Sequence, residues 1–341
     1  MTFVMSTEAK DLLGEVADRT SLAEGSEGVR SILRSVLRDQ PLSVNSLAYS
    51  VGIAVPVVAS VRRELEKKKL LERRGGAVLT ELGLELLSSL GIRNMCQYKY
   101  DMTEPLPKFV LELTDIFAEL TLGRPKPDFS IDQSHADPDT CIRRVFYMYE
   151  HGSIEGRDIV LIGDDDLLSL AIAVFADYFS IDVGSVTILD IDQRVLNFIE
   201  QKGDKYGLNI KTVNRDLRKE LPEEIRNFSD VFFTDPPYTV EGIKLFTARG
   251  TSGLRKEPGK TAYISFSSRP PDETSSIFAS LSSLGLAPRE LIPGFNRYIG
   301  AQLHAGASNM LRCSSGSTGC IDISIDADKI YTNRRRKASE I

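Results

Sequence analysis

The sequence predicts an α/β chain whose larger part is a doubly wound, mostly parallel sheet, and three observations carry that expectation. From Asp158 onward, short apolar runs at 159–162, 185–189, 210–213, 231–234 and 261–266 alternate with helical patterns such as 167–179, 195–206 and 274–284. Buried parallel strands read as continuous apolar runs, and a helix between each pair returns the chain to the same sheet edge. Carboxylates then stand just after four of those runs: Gly163-Asp164-Asp165-Asp166, Asp190, Asp216 and Asp235. Open sheets of this kind place their site at the carboxyl ends of the strands. Segments near Leu291 and at 307–311 supply a terminal antiparallel pair.

The 341 residues exceed what one ordinary core needs, so more than one domain is expected. Residues 1–92 form the first. Val29, Ile32, Leu33, Val36 and Leu37 recur at helical spacing, Ser43 is placed to cap a helix over 44–51, and a third helix covers about 56–69. Gly75-Gly76 turns two short strands, and Thr80 starts a last helix to Leu90, the order of a winged helix. Arg62, Arg63, Lys67, Lys68, Lys69, Arg73 and Arg74 are basic, but Glu64, Glu66 and Glu72 interrupt them. Val57-Val58-Ala59 at the start of the third helix suits packing better than base readout. A structural or dimerising module is expected.

Residues 93–155 read as a connecting region punctuated by Pro105, Pro107, Pro125, Pro127 and Pro138, with helices over 109–120 and from about Asp137 to Glu150. The catalytic domain covers 156–330, and 331–341 is a solvated basic tail built on Asn333-Arg334-Arg335-Arg336-Lys337.

Composition excludes several classes. Apolar residues make up 42% and charged ones 26%, as in globular proteins. No apolar run reaches the roughly 20 residues that cross a bilayer, and no signal peptide opens the chain, so a cytoplasmic protein without membrane partners is expected. Cys96, Cys141, Cys313 and Cys320 form no Cys-x-x-Cys pair and His135, His151 and His304 are scattered, so reduced structural thiols and no metal site are expected. The net charge of −6 makes nucleic acid an improbable main partner and suits cationic small molecules.

The strand-end carboxylates carry the chemistry. In a Rossmann-like transferase of the S-adenosylmethionine type, Gly163 and its turn approach the nucleoside's tail, Asp190 takes the ribose hydroxyls, and Asp216 meets the adenine amino group. Asp164 and Asp165 join the same cofactor-binding set. The first turn is usually glycine-rich, because the ligand tail ends in a carboxylate. Three consecutive aspartates disfavour that tail by several kcal/mol, roughly, at a partly desolvated site. They favour a tail ending in ammonium, as in decarboxylated S-adenosylmethionine, and a polyamine acceptor. A protonated amine must lose a proton before it attacks carbon. Asp166 and Asp235 are assigned as the catalytic carboxylates, and Tyr238 to the acceptor channel. No prosthetic group is implied; the nucleoside is a co-substrate.

These residues resemble the archaeal and bacterial branched-chain polyamine synthases, also called N4-bis(aminopropyl)spermidine synthases. The resemblance runs over most of the chain. It rests on the winged helix, Asp132-Gln133, Gly163-Asp164-Asp165-Asp166, Leu189-Asp190-Ile191-Asp192, Asp216-Leu217-Arg218 and Asp235-Pro236-Pro237 followed by Thr239-Val240-Glu241. It implies aminopropyl transfer from decarboxylated S-adenosylmethionine to the secondary amine of spermidine, an aspartate of the first turn against the acceptor amine, and a homodimer. It carries Asp132 and Pro236, beside Tyr238, as substrate-binding positions. The sequence departs at Tyr238, where some members have glutamate.

Two rivals use other features. Asp235-Pro236-Pro237-Tyr238 also marks S-adenosylmethionine-dependent enzymes that methylate exocyclic amines of DNA or RNA, with tyrosine stacking on a flipped base. A polyamine- or nucleoside-sensing regulator would use the winged helix on DNA. The triple aspartate and the acidic charge favour aminopropyl transfer over both.

Overall fold

The computed structural model describes residues 2–93, 96, 98–99, 105–299, 306–317 and 323–332. Cys320, His304 and the basic run at 333–337 lie outside them. The chain divides into two compact units, one of residues 1–97 with 179–182 and 257–259, the other of the remainder.

The first unit is built from α1 (Thr2–Thr20), α2 (Gly25–Asp39), α3 (Val44–Val51), α4 (Val55–Lys67), the hairpin β1 (Leu71–Arg73) and β2 (Ala77–Leu79), and α5 (Glu81–Ser89). Local capping chemistry sets two helix starts: Ser43 accepts the Ser46 amide at 3.0 Å, and Thr80 accepts the Gly83 amide at 3.1 Å. Val29, Ile32, Leu33 and Val36 on α2 join Leu47, Val58, Val61, Leu65 and Leu87 in one buried core. Helix α1 is an addition to the sequence expectation. It docks Leu13 and Val16 on that core, apolar positions that lie ahead of the pattern starting at Glu27.

The second unit begins with α6 (Lys108–Leu120) and α7 (Pro138–Glu150). Asp137 caps α7 by accepting the Thr140 amide at 2.7 Å, and Pro138 fills the first helical position, where its missing N–H costs nothing. Then come β3 (Asp158–Ile162), α8 (Leu168–Phe179), β4 (Ser185–Asp190), α9 (Gln193–Gly203), β5 (Ile210–Asn214) and β6 (Val231–Thr234). Helix α10 (Val240–Gly253), β7 (Thr261–Phe266), α11 (Pro271–Ser283), β8 (Leu286–Arg297) and β9 (Ala307–Ser315) complete it.

The seven strands lie in the order β5-β4-β3-β6-β7-β9-β8. The first five are parallel, and β9 pairs antiparallel with both β7 and β8, so the sheet is mixed. Strand order reverses at β3, whose neighbours β4 and β6 lead outward in opposite directions. That opens a crevice above their carboxyl ends.

Helix α10 is the element that sequence reasoning missed, because Gly242, Gly250 and Gly253 weaken its helical pattern. Packing requires one of them. A Cβ at Gly250 would stand 2.4 Å from the Phe232 ring on β6, so only glycine lets α10 lie against the sheet. Among the described residues no single helix is long and apolar enough to cross a membrane, and Cys96, Cys141 and Cys313 are buried.

Candidate active site

A pocket opens over the carboxyl ends of β3, β4, β5 and β6, enclosing roughly 550 Å³ with its mouth included. That is within the range of small-molecule sites. Its wall contains Asp132, Gly163, Asp165, Asp190, Asp216 and Asp235, six of the ten positions singled out from sequence. The other four lie off the wall.

The backbone explains this division. Gly163 takes a left-handed conformation (φ +78°), and its amide donates to Leu189 O at 2.8 Å, which ties the turn to β4. Leu167 also lies at positive φ (+61°), an uncommon state for a leucine, held here by full burial of its side chain. Within the turn, successive aspartates point different ways. Asp164 turns under it and accepts the amides of Leu168 at 2.7 Å and Ser169 at 3.2 Å, so it caps α8. Asp165 faces the pocket and accepts the Ser134 amide at 3.2 Å. Asp166 is buried behind the wall, accepting the Ala136 amide and, at 2.6 Å, the guanidinium of Arg144. Of the three aspartates, Asp165 is the one that lines the pocket, while Asp164 and Asp166 are engaged by protein donors behind it.

Arg144 is the residue that sequence reasoning passed over. Fully buried, it reaches Asp166 at 2.6 Å, Asp235 at 2.5 Å, the Asn296 side chain at 2.8 Å and the Tyr298 hydroxyl at 3.2 Å. Its planar head lies 5.0 Å from the Phe233 ring centre. A signal existed: Cys141, Arg144 and Met148 share one helical face in an otherwise apolar stripe. Asp235 also accepts the Tyr238 hydroxyl at 2.8 Å and the Tyr298 hydroxyl at 2.6 Å. Tyr238 is thus a donor to the carboxylate, engaged by its hydroxyl, and neither it nor Pro236 forms the pocket wall.

Asp190 ends β4 and Asp216 follows β5, and both line the pocket there. Asp190 accepts the amides of Asp164 (2.9 Å) and Asp192 (2.8 Å), which fixes its carboxylate at the end of β4. Asp216 pairs with Arg218 at 2.6 Å, which holds its carboxyl below the ordinary range. Asp132, at φ +59°, accepts both the amide (2.7 Å) and the hydroxyl of Thr332, and burial raises its carboxyl. The chain just before Thr332 also closes the wall. Ile330 is anchored by the Thr239 hydroxyl donating to its carbonyl at 2.9 Å, and Tyr331 lines the pocket. Residues 331 and 332, assigned from sequence to a solvated tail, are therefore part of the site.

Among the described residues, this wall carries five carboxylates and a single cation, Arg218, which is bound to Asp216. Burial pushes Asp165 well above the usual carboxylate range, and the charges of Asp166, Asp190 and Asp235 push the same way. Burial likewise lifts Asp235 to about 6, against the pull of Arg144. Among the described residues no group of three or more His, Cys, Asp or Glu side chains is arranged to hold a metal ion.

Comparison with known proteins bears on this geometry. Residues 112–333 match the family model described as the branched-chain polyamine synthase A C-terminal domain. The chain belongs to the branched-chain polyamine synthase family. A relative named N(4)-bis(aminopropyl)spermidine synthase from Thermococcus kodakarensis is 34% identical over 251 residues, covering 71% of this chain and 70% of that protein. Another of the same name, from Methanocaldococcus jannaschii, is 31% identical over 299 residues, covering 84% and 82%. The branched-chain polyamine synthase from Thermus thermophilus, solved in complex with N4-aminopropylspermidine and 5′-methylthioadenosine, shares the fold. Its TM-score is 0.55 at 22% identity, over 93% of this chain and 95% of that one. In this family member the matched segment spans the whole acidic pocket, from α6 through the Thr332 anchor.

Proposed function

We propose that the protein is an aminopropyltransferase that moves aminopropyl groups from decarboxylated S-adenosylmethionine to the secondary amine of spermidine. The observation that carries this reading is the surplus of carboxylates among the described residues of the pocket wall, where the one cation, Arg218, is already paired. A ligand tail ending in carboxylate is repelled there, and one ending in ammonium is attracted. The names of the relatives agree with it.

In the reaction the acceptor nitrogen, protonated in water, gives one proton to the Asp165 carboxylate and regains its lone pair. It then attacks the methylene carbon beside the sulfonium. The new C–N bond forms as the C–S bond breaks, and the electron pair leaves on sulfur as neutral 5′-methylthioadenosine. Asp235 stands as a fixed anion beside the cationic nitrogen. Asp190 and Asp216 hold ribose and adenine, and alignment of nitrogen, carbon and sulfur is the remaining work. Asp132 serves the acceptor side.

The first unit fits a winged helix whose role is structural or dimerising. Five of the seven basic side chains at 62–74 pair within the unit: Arg62 and Arg73 with Glu66, Lys67 with Glu64, Lys68 with Glu15, and Arg74 with Glu72. That leaves little positive charge for a phosphate backbone. A cytoplasmic homodimer with the catalytic part in 156–330 completes the proposal, and sedimentation of the purified chain checks the dimer.

Incubation with spermidine and either decarboxylated or intact S-adenosylmethionine, followed by mass spectrometry, tests the activity. Aminopropyl addition with the decarboxylated donor alone is expected. Methyl transfer from the intact donor to DNA or RNA would overturn the proposal.

A further inference from the structure

We propose that Arg144 is a positioning residue that takes Asp166 out of the reaction and holds Asp235 in place as an anion of the pocket, leaving Asp165 as the one carboxylate of the turn that meets the substrate amine. This rests on the proposed aminopropyl transfer only for the identity of that amine.

The geometry has four parts. Arg144 has no exposed surface, and its two terminal nitrogens reach separate carboxylates, Asp166 at 2.6 Å and Asp235 at 2.5 Å. Its third nitrogen, Nε, donates to the Asn296 side chain at 2.8 Å, so the fork cannot rotate without breaking a buried bond. The Asn296 amide is itself pinned by Ser265 at 3.1 Å and Ser308 at 3.0 Å. Phe233 covers the guanidinium plane. A planar fork meets two acceptors at fixed angles, which the point charge of lysine cannot reproduce.

This arrangement answers a difficulty of the acidic pocket. A polyamine site needs negative charge, yet carboxylates crowded at low dielectric tend to take up protons and lose it. One buried cation behind the wall keeps Asp235 ionised without competing for the face that substrate uses. The groups facing Asp235 are Arg144 from α7, Asp165 and Asp166 from the turn after β3, Tyr238 from its own loop and Tyr298 from beyond β8. Those facing Asp166 are Arg144, Cys141, His135 and the Ala136 amide. Asp165 and Asp235 also act on Asp166, and Arg124 acts on His135 and Cys141. Burial holds His135 neutral, at about 4, and Arg144 is the cation bonded directly to both Asp166 and Asp235.

Two variants pull the cluster in opposite directions. Asp166→Asn removes an anion beside Asp235, so Asp235 ionises more readily. Arg144→Lys weakens the cation, so it ionises less readily. The pH profile of kcat/KM is measured for both, with spermidine binding by calorimetry across the same pH range as a readout independent of turnover. The acid limb is expected to move to lower pH in Asp166→Asn and to higher pH in Arg144→Lys, by about one unit each, with spermidine binding following. Loss of turnover in Asp166→Asn at every pH would overturn the proposal by making Asp166 the reacting group. An unmoved limb in both variants, with only a lower rate, would overturn it by making Arg144 merely structural. Failure of the wild-type protein to transfer an aminopropyl group would refute the activity instead, and the binding profiles would still decide the role of Arg144.

Discussion

The two units use the same charged side chains to opposite ends. In the first, Glu15, Glu66 and Glu72 stand on a partly exposed surface, each against a lysine or arginine within 3.3 Å. In the second, Asp132, Asp165, Asp190, Asp216 and Asp235 converge on one pocket with Arg218 as the only cation among the described residues of its wall. Water screens the first set, and such exposed pairs contribute about 0–1 kcal/mol each. Burial amplifies the second, lifting Asp165 and Asp235 above their ordinary range. Charge balanced in place holds a surface together. Charge left in excess and shielded from water makes a receptor for the opposite sign.

Removing the pocket's reacting carboxylate should break the contrast most sharply. Asp165→Asn is expected to lower turnover by about 10²- to 10⁴-fold while 5′-methylthioadenosine still binds, as steady-state kinetics and calorimetry would reveal. Asp190→Asn should act on the nucleoside, raising the donor KM about ten- to a hundredfold with a smaller change in kcat. The same kinetics checks it, and a change confined to the spermidine KM would remove Asp190 from the ribose. Next in size is Gly250→Ala, which presses a methyl group into Phe232. It is expected to cost about 1–3 kcal/mol by thermal or urea unfolding, with the pocket's chemistry retained. In the first unit, Glu66→Gln breaks pairs with Arg62 and Arg73 and should change stability by about 0.5 kcal/mol or less.

The pH dependence sharpens the same comparison. Asp235 sits at about 6, raised from the ordinary carboxylate value, so it loses its charge as pH falls through about 6 rather than about 4. Turnover should therefore fall below pH 6. Asp216, half-buried and paired with Arg218, is held low and should make no contribution in that range.

How much of this the sequence revealed depended on whether a signal was local. The five parallel strands were legible because burial on both faces writes continuous apolar runs such as Ile159-Val160-Leu161-Ile162. The strand-end carboxylates followed from position alone and Asp132 from the family resemblance, and Asp132, Asp165, Asp190, Asp216 and Asp235 meet in one pocket. The direction of each aspartate in the turn was not legible. It depends on the left-handed steps at Gly163 and Leu167 and on donors 22 to 31 residues away. Arg144, Asn296 and Tyr298 come from three separate elements and carry no shared spacing. The closing contacts of Tyr331 and Thr332 were hidden for a similar reason: their partner Asp132 lies 200 residues earlier in the chain.

The most direct test of the acidic pocket compares decarboxylated and intact S-adenosylmethionine as ligands, by calorimetry at pH 7.5 or so and low salt. The donors differ by one carboxylate at the tail. The account predicts tighter binding of the decarboxylated form by about a hundredfold or more, near 2.7 kcal/mol. It also predicts that Asp165→Asn narrows the gap. Equal affinity, or preference for the intact form, would contradict it.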